Sequence, residues 1–362
     1  MTILLTVILV ALIFEYINGF HDTANSIATV VSTRVLHPRQ AILLATITNL
    51  GGAMVGTAVA KTITSGLVEA KFVTAETIIA ALLGGVIWNL VTWWFGLPSS
   101  SSHALVGGLI GATLSSSHNN WGSLIWTKVT TGAPWYKNSG ILYKVLIPMI
   151  TSPILGFLIG FLMMSLFYLV LAKVRPRTIS SVFGKGQILS AAYMGWSHGS
   201  NDAQKTMGII TLALAAATQT GTLETAPSFL SFLKIAPDSG NVVPVWIKVT
   251  CAIVMAAGTA AGGWKIIQTM GHKMVKLQPV HGFAAETTAA TVLSVSAALG
   301  MPVSTTHAIT TSIMGVGCAK RLNALNFSVV HRILWAWVLT IPATAGLAYL
   351  THQVLIKFIP TS

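Results

Sequence analysis

Long apolar runs alternate with short polar segments along the whole chain. The first run, "ILLTVILVALI", begins at Ile3. Because a helix needs about 20 apolar residues to cross a bilayer, such runs predict membrane helices. The pattern predicts ten crossings, at residues 2–33, 39–62, 75–96, 98–116, 143–172, 187–217, 245–267, 281–299, 302–319 and 331–357. The predicted fold class is an all-α polytopic membrane protein with about 10–12 membrane helices.

Two of these crossings contain polar residues where lipid would favour apolar ones. The first continues as "FEYINGFHDTANSIATV" from Phe14, and the sixth contains "SHGSNDAQKTMG" from Ser197. Both runs exceed the length of a straight span and have glycine and polar residues in the middle. Non-helical backbone is tolerated in a membrane where it lines a cavity, so we expect both helices to be broken there.

Composition supports a membrane protein and excludes several classes. Hydrophobic residues make up 53% of the 362 residues and charged residues only 8%, against about 25% charged in soluble domains. The net charge is +13, but the basic residues lie in short clusters between apolar runs, so nucleic-acid binding is not predicted. Two cysteines in apolar runs, Cys251 and Cys318, indicate neither a disulfide framework nor a metal cluster. No phosphate-binding G-x-x-x-x-G-K-[ST] loop is present.

Lysine and arginine positions orient the chain, because cytoplasmic loops carry an excess of both. Most clusters follow odd-numbered crossings, which places those loops in the cytoplasm and both termini outside. The basic residues concerned are Arg34, Arg39, Lys173, Arg175, Arg177, Lys185, Lys265, Lys273, Lys276, Lys320, Arg321 and Arg332. A competing cluster, Lys128, Lys137 and Lys144, follows the fourth crossing and weakens this orientation without reversing it.

Two pairs of segments repeat within the chain. "GLPSSSSHALVGGLIG" from Gly96 matches "GMPVSTTHAITTSIMG" from Gly300 at an offset of 204, and "GFHDTANSIA" matches "GSNDAQKTMG" at an offset of 180. The predicted orientation inverts one copy relative to the other. The predicted organisation is a first repeat at 1–140, a connecting span and cytoplasmic linker at 141–186, a second repeat at 187–322 and a C-terminal span at 323–362. Inverted repeats with broken helices are typical of secondary transporters, whose substrate site lies between the halves.

The first repeated pair has the chemistry of an anion site. Pro98 and Pro302 suit the first turn of a helix, and a run of hydroxyl groups follows each proline. Helix N-termini present unpaired N–H groups and the positive end of the helix dipole, so with added hydroxyls they bind oxyanions. The alternative is that these side chains only cap helices or pack between them. The candidate anion-binding residues are Ser100, Ser101, Ser102, Ser304, Thr305 and Thr306.

The second pair favours a cation. Asp22 and Asp202 lie at membrane depth, where an unpaired carboxylate costs several kcal/mol, so each should have a partner or bind an ion. Asn25 lies one helical turn after Asp22 and can add a carbonyl oxygen. The alternative is that each aspartate caps half of a broken helix. Glu15 either joins the ion path or pairs with a hydroxyl group, and Glu286 is a secondary candidate.

His103 and His307 recur in both copies of the hydroxyl motif. For these two side chains we favour a buried hydrogen-bonding role that orients the loop over a role as proton carrier.

Four segments in this order resemble the inorganic phosphate transporter (PiT) family over nearly the whole chain: "NGFHDTANSIATVVSTR", "WNLVTWWFGLPSSSSH", "SHGSNDAQKTMGI" and "GMPVSTTH". The resemblance implies an inverted-repeat carrier whose phosphate and coupling-ion sites are formed by matching motifs. By match these are Asp22, Asn25, Ser100, Ser101, Ser102, Asp202, Ser304, Thr305 and Thr306.

One position departs from the sodium-coupled members. In many of those members both motifs resemble N-D-x-x-N. Here the second motif reads "NDAQK", with Lys205 where its final asparagine would stand. The chain is similar instead to the bacterial low-affinity, proton-coupled branch, which implies phosphate uptake partly as neutral complexes with a divalent metal. Lys205 can pair with phosphate or can release and rebind a proton; a structural ion pair with Asp202 is the alternative.

The sequence therefore predicts a multi-pass transporter of the cell inner membrane that imports inorganic phosphate by cation symport. The coupling cation is H⁺ or Na⁺, no cofactor is expected, and a homodimer is left open.

A sulfate carrier on the same scaffold is the nearest rival function, because sulfate is also tetrahedral. An ion channel is disfavoured, since inverted broken helices with buried carboxylates suit alternating access better than a continuous pore. A membrane-embedded hydrolase is disfavoured because the serines fall in matched anion-binding runs, so the protein is predicted not to be an enzyme.

Overall fold

The computed structural model describes residues 1–65, 67–132, 134–224, 227–235 and 243–358. Within them the only β-structure is two isolated bridges, Val68 with Leu124 and Lys128 with Ser139. The predicted all-α fold class is confirmed. The α-helices are α1 (Thr2–Ser32), α2 (Pro38–Ala53), α3 (Ala58–Ser65), α4 (Ala75–Trp94), α5 (Ser101–Ser116), α6 (Ile147–Val170), α7 (Pro176–Gln219), α8 (Val245–Ala261), α9 (Trp264–Gln268), α10 (Pro279–Ala298), α11 (Thr305–Cys318) and α12 (Phe327–Phe358).

Several helices are long and apolar enough to cross a membrane. Among the described residues these are α1, α4, α6 with its preceding π-turn, and α12, and the bent pairs α2–α3 and α8–α9 raise the number from four to six. Helices α5 and α11 have 16 and 14 residues, or about 24 and 21 Å, against a hydrocarbon core of about 30 Å. These two are therefore too short to be separate crossings. Each packs against the helix before it, so α4–α5 and α10–α11 are hairpins.

The prediction that the first and sixth crossings are broken is wrong. α1 and α7 are continuous over 31 and 44 residues, and Asp22 and Asp202 lie inside them. Their central glycines serve close packing instead. A Cβ on Gly19 would lie 2.3 Å from the carbonyl oxygen of Met255 in α8, and one on Gly199 would lie 2.2 Å from that of Asn49 in α2. Small residues allow such close approach of helices in membranes.

The breaks occur in the second and seventh predicted crossings. The bend is 67° between α2 and α3 and 60° between α8 and α9. Gly56 and Gly262 lie at these bends with φ of +81° and +72°, a conformation that favours glycine and ends a helix. Part of the predicted cytoplasmic linker is helical, because α7 already begins at Pro176.

Two apolar cores lie on either side of a polar layer formed by α1 and α7. One core contains the N-terminal half of α1 with Phe14 and the C-terminal part of α7 with Ile209, and the other contains Ile27 and Met194 from the opposite halves. Between the two cores, α1 and α7 contribute a series of buried polar residues. The candidate functional site lies in this layer.

Candidate functional site

Helix α1 contributes Asp22 and Asn25 on one buried face. The Asp22 carboxylate lies 2.7 Å from Nδ1 of His21, whose Nε2 lies 3.1 Å from the Thr92 hydroxyl of α4. Asn25 donates from Nδ2 to the hydroxyl oxygens of Thr305 at 3.2 Å and Thr306 at 3.0 Å. The first repeat thereby touches the hydroxyl run of the second.

Helix α7 contributes Asp202 and Lys205. The Lys205 ammonium donates to Asp202 Oδ1 and to the Ser102 hydroxyl of α5, and all three side chains are buried. Thr305 also donates to Asp202 Oδ2 at 3.2 Å. The lysine thus forms an ion pair within its own helix and a hydrogen bond to the opposite repeat.

The N-termini of α5 and α11 meet at this cluster. Ser102 donates to the carbonyl of Val303, the residue before the second hydroxyl run, at 3.1 Å. The rings of His103 and His307 pack edge to face with centroids 4.7 Å apart. The predicted arrangement of two facing helix ends is therefore present in the structure, with the hydroxyl runs of both copies side by side.

The six hydroxyl residues are not equivalent. Ser100 and Ser304 are N-caps, since their oxygens accept from the backbone N–H of His103 at 3.2 Å and His307 at 3.1 Å. Pro98 and Pro302 consequently precede the caps rather than occupying the first helical turn, which corrects that expectation. The Ser101 hydroxyl is buried without a protein partner among the described residues, so it retains hydrogen-bonding capacity for a ligand.

A candidate cation position lies beside the hydroxyl groups. Asp22, His198 and Asp202 are all buried and each offers a ligand atom within 4.8 Å of the others. His198 Nε2 lies 3.3 Å from Asp202 Oδ2, and its Nδ1 lies 2.9 Å from the Asn49 side-chain oxygen. Carboxylate oxygens with one imidazole nitrogen suit a proton or a small metal ion.

Sequence reasoning missed His198 and Asn49. His198 lies one turn before Asp202 in the quoted segment "SHGSND", so the i, i+4 spacing was a usable signal. Nothing in the sequence marked Asn49, which comes from α2.

The other two predicted carboxylates lie outside this cluster. Glu15 accepts a hydrogen bond from Thr206, and Glu286 accepts from Thr29 and Ser190, with Gln187 Nε2 3.4 Å away. Both glutamates are fully buried. The structure therefore brings together Asp22, Asn25, Asp202, Lys205 and the hydroxyl runs, and leaves Glu15 and Glu286 as separate sites.

The electrostatics of the cluster are unusual for an anion site. All six arginines are exposed on the surface, so Lys205 is the cation that meets the hydroxyl runs. With neutral histidines, two carboxylates and one ammonium give the cluster a formal charge of −1. A phosphate dianion bound here therefore requires an accompanying cation or proton. Every predicted side chain of the cluster is at most 2% exposed, so the site is closed to both sides of the membrane.

Comparisons with known proteins show which family this chain resembles over most of its length. The model of the phosphate transporter family matches residues 18–177 and 170–348. The chain is 40% identical over 357 residues to a Bacillus subtilis protein named "probable low-affinity inorganic phosphate transporter", covering 98% of each chain. A Rhizobium meliloti protein of the same name is 40% identical over 97% of this chain and 96% of its own. A solved structure named "the sodium-dependent phosphate transporter" superposes with a TM-score of 0.79 at 25% identity, covering 99% of this chain and all of that one.

Proposed function

The chain belongs to the phosphate transporter family, whose members are transporters and not enzymes, and we propose that it imports inorganic phosphate by proton symport. It is a multi-pass membrane protein, and its bacterial relatives favour the cell inner membrane as its location. Phosphate is held between the N-termini of α5 and α11, and the cation that accompanies it is carried by buried side chains of α1 and α7.

The observation that carries this proposal is the meeting of the two hydroxyl runs around Lys205. Ser102, Thr305 and Thr306 come from two helix N-termini, and Asn25 and Lys205 join them from α1 and α7. Hydroxyl groups, an ammonium and two helix N-termini together supply the donors that a tetrahedral oxyanion needs. Phosphate binding would replace the present contacts among these groups.

The carboxylates favour phosphate over sulfate. At neutral pH phosphate keeps one or two protons, and a P–OH group can donate to Asp22 or Asp202. Sulfate has no proton to donate, so the same carboxylates would repel it. Such a repulsive element is a common source of specificity. Arsenate, which is also protonated, should enter.

Two cation alternatives remain for the trio Asp22, His198 and Asp202. A sodium ion would parallel the solved structure, which is named as sodium-dependent, but Lys205 places a fixed positive charge next to Asp202. A divalent metal carried in with phosphate would use the imidazole nitrogen of His198 as well as the carboxylates. We favour the proton because the ammonium competes with sodium for the same carboxylate.

Because the site is closed, transport requires alternating access. Matching structural features in the two halves support this mechanism. Gly96 and Gly300 adopt φ of +64° and +63°, Ser100 and Ser304 are matching N-caps, and each half has one bent helix pair. These pairs support the inverted-repeat organisation proposed for 1–140 and 187–322. We propose that rocking of one half against the other opens the site to each side in turn.

Uptake by the purified chain in sealed vesicles tests the proposal. Labelled phosphate or sulfate is supplied while a proton, sodium or magnesium gradient is imposed alone. We expect phosphate uptake with the proton gradient and little sulfate uptake with any gradient. Uptake driven only by sodium would contradict proton coupling, and equal uptake of sulfate would contradict the role of the carboxylates.

A further inference from the structure

Glu15 is a buried carboxylate that the phosphate site does not use. It is fully buried in α1, and its Oε2 accepts a hydrogen bond from the Thr206 hydroxyl of α7. Its other oxygen, Oε1, has no partner among the described residues. Asn18, one turn further along α1, is likewise fully buried and near enough to interact with the Glu15 carboxylate, although neither atom of its amide meets hydrogen-bond geometry with a described residue. The two residues leave free hydrogen-bonding capacity in a water-excluded position.

Within the described part of the chain, no cationic side chain forms an ion pair with Glu15. The ion pairs within the described residues involve Asp22 and Asp202, and none includes Glu15. An ionised carboxylate buried without a cationic partner is very costly, whereas a protonated one needs only hydrogen bonds. Asp202 differs, because Lys205 pairs with it. Of these two buried acids, Glu15 is therefore the one whose surroundings suit a carried proton.

Glu15 is also close enough to the phosphate site to influence it. Thr206, its hydrogen-bond donor, is the neighbour of Lys205 in the chain, and the charges of both Asp202 and Lys205 act on Glu15. From α8, Cys251 is the titratable group that faces it. Helix α4, which also packs on α1, has its one titratable residue, Glu76, in its first turn. A negative charge on Glu15 would thus add to a cluster that is already at −1.

We propose that Glu15 carries the proton that is transported with phosphate, an inference that rests on the proton symport proposed above. A proton from the outer water binds the Glu15 carboxylate, which becomes neutral and no longer repels the anion. Phosphate then binds, the site closes and reopens inward, phosphate leaves, and the Glu15 proton passes to cytoplasmic water. Coupling is reciprocal: protonation of Glu15 strengthens phosphate binding, and bound phosphate strengthens proton binding to the same degree.

In this mechanism Lys205 stays paired with Asp202 and serves as a fixed charge for the anion. The mechanism therefore separates two roles that the sequence assigned to one residue. It also gives a role to the hydrogen bond from Thr206 to Glu15, which lies two helical turns before Asp22 on α1. This hydrogen bond connects the proposed proton site with α7, the helix that contributes Lys205 to the anion site.

Glu15→Gln tests this role, because it keeps the size of the side chain and fixes it in a neutral form. In reconstituted vesicles we expect the variant to exchange internal for external labelled phosphate at a rate within about threefold of the parent. It should lose accumulation driven by a proton gradient. Glu69→Gln, an exposed glutamate of the same repeat, is the matched control and should retain both activities.

A second measurement counts protons directly. Phosphate binding to the detergent-solubilised protein is followed by calorimetry in two buffers of different ionisation enthalpy at one pH. At a pH alkaline enough for Glu15 to be ionised before phosphate binds, the parent should take up to about one proton more per phosphate than Glu15→Gln. An equal proton count at that pH, or undiminished proton-driven accumulation by the variant, would overturn the proposal. Loss of exchange together with accumulation would also overturn it, because Glu15 would then be structural.

Transport by the parent protein shows whether the Glu15 assignment or the proposed proton symport has failed. If the parent itself accumulates phosphate only with sodium, proton symport is wrong before any variant is considered. If the parent is proton-driven and Glu15→Gln is too, only the assignment to Glu15 is wrong.

Discussion

At the scale of residues, the Lys205 ammonium determines how the centre can be altered. It is about 2% exposed and contacts Asp202 and Ser102. Removing one member of a buried ion pair leaves the other charge without compensation, at a cost of about 3–5 kcal/mol. The losses of stability caused by changing Lys205 and Asp202 singly should therefore not be additive.

The first prediction concerns this pair. Lys205→Asn and Asp202→Asn should each lower the melting temperature in detergent markedly, and the double variant should recover most of the loss, because it strands no charge. Thermal unfolding of the four proteins measures this coupling. Additive losses would show that the pair is not formed.

The double variant also reports on transport. If Lys205 serves as a fixed charge for phosphate, the double variant should fold and yet transport little. Recovery of proton-driven phosphate accumulation would show that Lys205 is no proton carrier and that the anion does not need its charge. Asp22→Asn is the comparison: its partner is His21, so we expect a smaller loss of stability and a similar loss of uptake.

The residues of the site were largely predictable, because polar side chains in apolar helices are costly and therefore informative. The repeat indicated that the hydroxyl runs of Ser100 and Ser304 face one site. It could not indicate that these two serines cap their helices while Ser101 remains unpaired, since that depends on where each helix begins. Asn49 was not predictable, because a single asparagine in α2 has no counterpart in the repeated motifs.

At the scale of elements, glycine has two different uses that look alike in the sequence. Gly19 and Gly199 allow helices to touch, whereas Gly56 and Gly262 bend the chain. All four lie inside predicted crossings, so local pattern alone assigned the breaks to the wrong crossings. The neighbouring helix, α8 for Gly19 and α2 for Gly199, decides the outcome, and local sequence does not show it.

The second prediction follows from this packing. Gly199→Ala places a Cβ 2.2 Å from a backbone oxygen of Asn49, so α2 and α7 must separate. We expect the free energy of unfolding to fall by about 1–3 kcal/mol. Transport should also be reduced, since Asn49 orients His198. Gly346→Ala in α12 is the matched control, because nothing lies within 4 Å of its Cβ and helix propensity should add up to about 1 kcal/mol. Equal melting temperatures for both variants would show that α2 and α7 do not pack this closely.

At the scale of the whole molecule, the hairpins are compatible with the predicted orientation. If α4–α5 and α10–α11 each enter and leave the membrane on one side, the loops before and after each hairpin stay on the predicted side. Each half then presents one short helix N-terminus to the shared polar layer. The orientation inferred from Lys and Arg stays a prediction. The short length of α5 and α11 could not be predicted, because their apolar runs continue through the preceding loop.

The third prediction tests that orientation. In a chain with Cys251→Ala and Cys318→Ala, single cysteines at the exposed positions Thr127 and Ser228 should react with an impermeant thiol reagent added to intact cells. Thr178→Cys, exposed in the first turn of α7, should react only after the membrane is opened. Equal labelling of all three positions in intact cells would contradict the inverted orientation.

Proton-coupled phosphate import is tested most directly by the accumulation ratio in sodium-free vesicles. The steady-state ratio of internal to external phosphate is measured over a series of imposed pH differences, with membrane potential clamped. For one proton moved with each phosphate, we predict that the ratio for the transported species rises about tenfold per pH unit and collapses when a protonophore is added. A ratio that stays near one at every pH difference, and rises only when a sodium gradient is supplied, would contradict the account.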